Sequence, residues 1–204
     1  MTQQSFLTPE DSELSQKFLA EGYVIRHCES HSALHEMINW IRSRANQWLS
    51  ANGHHRQIHD FSQSHSAVST KILNDLRLHL FASINAQSDS RKTYFSFAAS
   101  LLQSLVGNEL AMQNKVNLSI QQPGDQTSVL EMHSDAWTGD SPFQVVLWVP
   151  LTNSTGTNAM YLLGPDKSTE AYGRVRKGEL LSMSEIHAEY AKFFKPIEIG
   201  RAHV

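Results

Sequence analysis

Two periodicities divide the chain. In the first half apolar residues recur at helical spacing, whereas in the second they alternate with polar ones or gather in short runs. Leu34, Ile38, Ile41, Ala45 and Trp48 share one face of a helix over 32–49. Val68, Ile72, Leu76 and Leu80 predict a second stripe, and Phe97, Leu101 and Leu105 a third. A helix also opens at Thr8-Pro9-Glu10-Asp11, where a hydroxyl cap precedes proline at the first helical position and an acid follows three residues after the cap. Leu14 and Phe18 lie on its face, and Gly22 ends it. Tyr23-Val24-Ile25 predicts a first short strand.

From residue 115 the period changes. Val116, Leu118 and Ile120 fall on one face of a strand over 115–122, with Asn117, Ser119 and Gln121 on the other. Pro123-Gly124-Asp125-Gln126 predicts a turn and 128–133 a returning strand. The run 143–151 is nearly all apolar, too β-branched and too short for a helix, and Met160 to Leu163 supplies another strand. A helix over 184–194, capped by Ser184, separates these strands from a last extended stretch at 196–204. The expected class is α+β with a mostly β core, an antiparallel sandwich or barrel with helices on its outside. No linker rich in Pro, Gly or Ser divides the chain, so 1–204 reads as a single domain, 1–110 mainly helical and 111–204 carrying the β core.

Composition narrows the function classes. At 204 residues and 40% hydrophobic the chain can fill one core, and a net charge of -3 gives no basic footprint for nucleic acid. It has no apolar run of the roughly 18 residues a membrane span needs, and Met1-Thr2-Gln3-Gln4-Ser5 lacks the features of a signal peptide, so a cytoplasmic protein with no membrane partner is expected. Cys28 is the one cysteine, a small buried hydrophobe rather than a nucleophile.

The candidate chemistry lies at His133-Ser134-Asp135, where the predicted strand runs into a loop. A neutral nitrogen and an anionic oxygen two residues apart can turn toward one point, and together they suit Fe(II). A third ligand, usually a distant histidine, would complete a facial triad and leave positions open for a cosubstrate and dioxygen. His54, His55, His59 and His65 crowd a loop marked by Asn52-Gly53, with Asp60 the one acid nearby, and read as a solvated loop rather than a zinc site. His187 reads as an exposed helical residue, and Ser182 and Ser184 show no His/Asp partnership for nucleophilic catalysis.

Asn117-Leu118-Ser119-Ile120-Gln121-Gln122-Pro123-Gly124-Asp125, His133-Ser134-Asp135-Ala136-Trp137-Thr138-Gly139, Ser141-Pro142-Phe143, Val146-Leu147-Trp148-Val149-Pro150-Leu151 and Met160-Tyr161-Leu162-Leu163 together carry a resemblance. They resemble the 2-oxoglutarate and Fe(II) dependent dioxygenases of bacterial surface-carbohydrate gene clusters, relatives of the phytanoyl-CoA dioxygenase group. The resemblance covers roughly residues 90 to 200 and fades in the N-terminal third. It implies a double-stranded β-helix, or jelly roll, with His133 and Asp135 as the first two iron ligands and 2-oxoglutarate as cosubstrate. Asn117, Ser119 and Gln121 would then hydrogen-bond the 2-oxoglutarate carboxylates, or else form a solvent-facing polar row. Trp137 would stack on the apolar face of a sugar or nucleotide-sugar type substrate, or else anchor its loop against Pro142 or Phe143.

The match departs from the family at its end. His203 lies 70 positions after His133, a plausible separation for the third ligand, yet comes early relative to Gly200, so it reads either as that ligand or as an ordinary strand residue. Arg201 reads as an edge charge rather than the cosubstrate's carboxylate clamp. The expectation is an incomplete jelly roll, with the true third histidine and the arginine falling beyond Val204. Two other functions fit the same sequence, a non-catalytic carbohydrate-binding jelly-roll module and a cupin-like nucleotide-sugar isomerase or epimerase.

Overall fold

Thr8 opens the first helix as its sequence predicts. In a computed structural model, which describes residues 8–125, 132–137, 139–180 and 182–204, helix α1 (Pro9–Glu21) begins with a closed capping box. Thr8 Oγ1 accepts from the Asp11 N–H at 3.1 Å, and the Asp11 carboxylate accepts from the Thr8 N–H at 3.2 Å and its hydroxyl at 2.8 Å. Gly22 ends the helix at φ 82, a left-handed conformation that a side chain would strain. Hydrogen bonds from Ser104 and Thr8 hold the Asp11 carboxyl below its ordinary value of 3.8. A carboxyl depressed in the folded state stabilises fully above the unfolded value and loses that contribution as pH falls through the folded one. Acidification below about pH 3.8 should therefore fray α1 early, and amide hydrogen exchange should show Asp11→Asn abolishing that pH dependence.

The core is built by helices. Ile41, Ala45 and Leu49 of α2 (His31–Ala51) meet Leu73, Leu76, Leu80 and Ile84 of α3 (Thr70–Asn85), and Ile58, Val68 and Val116 close that cluster. Leu34 and Ile38 of α2 join Cys28, Phe97, Ala98 and Val204 in a second cluster beside α4 (Ser90–Phe95) and α5 (Ala99–Val106). A third gathers Ala171 of α6 (Pro165–Arg176), Leu180, and Ile186 and Tyr190 of α7 (Met183–Tyr190). Strands β1 (Met160–Leu163) and β2 (Phe194–Ile197) pair antiparallel, Met160 opposite Ile197 and Leu163 opposite Phe194. No described helix is long and apolar enough to cross a membrane.

The expected jelly roll is not formed. The structure is about 52% helical, and among the described residues its one sheet is the two-stranded β1–β2 pair. Helices expected to brace the outside of a sheet instead pack on one another. The predicted strand over 115–122 is extended and buries Val116 while partly burying Leu118 and Ile120, but its backbone bonds go to helix α3. Asn85 Nδ2 donates to the Val116 carbonyl at 3.0 Å while its Oδ1 accepts from the Val116 N–H at 2.8 Å. Arg77 Nε donates to the Ile120 carbonyl at 2.8 Å, and Arg77 Nη2 reaches both that carbonyl and the Asp125 carboxylate. An amide and a guanidinium thus stand where a neighbouring strand would be, satisfying buried backbone groups that a barrel would have paired.

The apolar run 143–151 behaves alike. Leu147, Val149 and Leu151 pack on the second helical cluster, and Tyr94 donates its hydroxyl to the Leu147 carbonyl at 2.6 Å. Burial pushes that hydroxyl's pKa up to about 12. Tyr23-Val24-Ile25 forms no strand, and pairing begins two residues later, where His27 bridges His203. The predicted returning strand over 128–133 falls largely outside the described residues. Ser182, not Ser184, caps α7, exchanging hydrogen bonds with Glu185, and the predicted helix over 184–194 stops at Tyr190 before a 3-10 turn leads into β2.

Candidate metal centre

Met132 anchors the stretch that carries the candidate ligands, packing partly buried against the cluster of α6 and α7. His133 follows in open backbone, and residues Asp135–Trp137 make one 3-10 turn. The Asp140 N–H donates back to the Asp135 carbonyl at 3.1 Å, closing a loop that includes Gly139 at φ 105, a value only glycine adopts cheaply. A second turn follows, in which the Gln144 N–H donates to the Ser141 carbonyl at 3.1 Å and the Phe143 N–H to the Ser141 hydroxyl at 3.2 Å. It returns Gln144 to the loop's start.

This local folding brings three side chains together. His133 Nε2 stands 3.5 Å from Asp135 Oδ1, with the two side chains 46% and 40% exposed. Gln144 Nε2 donates to the other carboxylate oxygen, Oδ2, at 3.1 Å, which fixes the carboxylate's rotation and leaves Oδ1 turned to the imidazole. For metal–donor bonds of about 2.1 Å, a separation of this size corresponds to a donor–metal–donor angle of about 110°, within the range that one ion accepts from two ligands. The other chemistry open to the pair is an exposed ion pair, which contributes little to stability. Gln144 was not singled out by the sequence, since it stands near the head of an apolar run where nothing marks it as a partner of Asp135.

Among the described residues, His203 does not join this pair as a third donor. Asn117, Ser119 and Gln121 are exposed, on the face of their segment opposite the buried Val116. Trp137 ends the 3-10 turn, and its side chain lies outside the described residues. His203 sits against His27, with ring centroids 4.2 Å apart, and among the described residues no group of three His, Cys, Asp or Glu side chains is placed to hold a metal. His55, His59 and His65 are exposed, His54 is half-buried and stacks near Trp48, and His187 is exposed on α7. Two surface clefts, of about 570 and 550 Å³, are lined by Lys167, Glu170, Tyr190 and Phe193 and by His55, Arg56 and His59, so neither encloses the donor pair. No family model, curated protein or solved structure matches the chain.

Proposed function

We propose that the chain is an Fe(II)- and 2-oxoglutarate-dependent dioxygenase acting on a sugar or nucleotide-sugar type small molecule, with His133 and Asp135 among the iron's ligands. The approach of His133 Nε2 to within 3.5 Å of Asp135 Oδ1 carries this reading. The donor set fits Fe(II) in type, and no third His, Cys, Asp or Glu joins it among the described residues. The barrel in which such a pair was expected is not part of the reading, which rests on the donors and on the resemblance of residues 117–163.

Bound iron and 2-oxoglutarate supply the oxidising chemistry, which belongs to them more than to the protein. The protein's share is binding and orientation. Asp135 contributes the anionic oxygen, and the Gln144 amide, hydrogen-bonded to Oδ2, keeps Oδ1 facing His133. His133 presents Nε2 as a neutral donor when its proton resides on Nδ1. Phe143, next to Gln144 in the chain and 88% exposed, offers an aromatic face of the kind that suits the apolar side of a sugar ring.

Anaerobic titration with Fe(II) tests the assignment. His133→Ala and Asp135→Ala should each abolish binding while far-UV circular dichroism is unchanged, and Gln144→Ala should weaken it by roughly tenfold, the effect of losing an orienting partner. Whatever succinate the wild type forms from 2-oxoglutarate should be lost in both alanine variants. Undiminished Fe(II) affinity in both alanine variants would refute the ligand role.

A further inference from the structure

We propose a second metal site, separate from the His133–Asp135 pair, in which His27 and His203 chelate a late first-row divalent cation such as Zn(II) across two paired chain segments. Val204 donates its N–H to the Arg26 carbonyl at 2.8 Å, and Cys28 donates its own to the Ala202 carbonyl at 2.9 Å. His27 and His203 lie directly opposite one another between those bonds, as the non-hydrogen-bonded pair of an antiparallel bridge. That is the pairing in which facing side chains come closest.

Alternation decides which way they face. Cys28 and Val204 are buried in the second helical cluster, while His27 is exposed and His203 half-buried, so the two imidazoles stand on the outer side of the bridge. Their ring centroids are 4.2 Å apart and their planes tilted by 39°. Neutral imidazole nitrogens are ligands that zinc, copper and nickel accept.

A second observation is independent of that proximity. His203 Nδ1 lies 3.2 Å from the Gly200 carbonyl, a bond in which Nδ1–H donates and leaves the Nε2 lone pair free. Metal-bound histidines are typically oriented by such a bond to a backbone carbonyl. Gly200 also makes room for the ring, because a Cβ there would come within 3.3 Å of His203 Nδ1. The segment is shaped around the imidazole, with Ala202 held at φ 73 in the turn that delivers it. The consequence is a metal clip that ties 26–28 to 202–204, adding to the three backbone hydrogen bonds and the packing of Cys28 and Val204 that already join them.

Calorimetric titration of the untagged chain with Zn(II) tests the site, in a His133→Ala/Asp135→Ala background so that the other pair cannot contribute. One Zn(II) should still bind there. Binding should be lost on adding His27→Ala or His203→Ala, and weakened by roughly tenfold on adding Gly200→Ala, which displaces the ring while keeping both imidazoles. In the same background with both histidines intact, nitrogen-15 spectra should show the rings of His27 and His203 shifting together as Zn(II) is added. Absence of Zn(II) binding in that background, affinity indifferent to both histidine substitutions, or a shift in only one of the two rings would overturn the chelate. Each of these outcomes leaves the iron assignment to be judged by its own titration.

Discussion

Replacing Arg77 by leucine should destabilise the protein by about 3–5 kcal/mol, the cost of breaking a buried ion pair from one side. Asp125 is 4% exposed at its side chain and faces Arg77 Nη2 at 2.5 Å. The substitution removes the guanidinium from a carboxylate that water barely reaches, and takes from the Ile120 carbonyl the donor that Arg77 Nε supplied. Urea denaturation should show a lower midpoint with the slope retained. Pairing Arg77→Leu with Asp125→Leu should recover a large part of the loss, because an apolar pair leaves no charge behind. If the single variant matched the wild type in stability, the idea that α3 holds segment 115–122 through this guanidinium would be discarded.

Leu73→Ala should cost about 2–5 kcal/mol, the usual range for emptying a fully packed leucine site. Leu73 is 1% exposed and lies with Leu76, Leu80 and Ile84 on the face of α3 that meets α2. Ile72→Ala should cost less, since Ile72 is only partly buried beside that cluster, and Leu78→Ala, at an exposed position of the same helix, should stay within about 0.5 kcal/mol of the wild type. The order distinguishes two faces of one helix. The sequence stripe of Val68, Ile72, Leu76 and Leu80 predicts that Ile72 matters more than Leu73, so a larger loss at Ile72 would show that α3 presents the other face.

The difference between those stripes explains much of what the sequence made legible. Spacing located the helix, but Val68 precedes its first turn, and the helix is rotated so that Leu73 and Ile84 replace Ile72 in the buried row. The helix at Thr8 was readable to the residue, because a capping box and a left-handed glycine are local devices that act within one turn of chain. The proximity of His133 and Asp135 was legible on the same local ground. His133 and Asp135 are close in sequence and need one turn of backbone to meet, whereas Gln144 reaches Asp135 only through the geometry of two successive turns. His203 carried no local information about its partner, and tertiary pairing placed it beside His27.

The amino-acid sequence by itself determined where α1 starts, which residues of 115–122 turn inward, and that a histidine and a carboxylate share the loop at 133–135. Tertiary structure decided what those inward residues pack against. Alternation of apolar and polar positions records only that one face of an extended segment is buried; it says nothing of whether the backbone's donors and acceptors are answered by another strand or by side chains. Here Asn85 and Arg77 of α3 answer those of 115–122, and Tyr94 answers the Leu147 carbonyl of 143–151. Helices therefore occupy the place where a β barrel was expected.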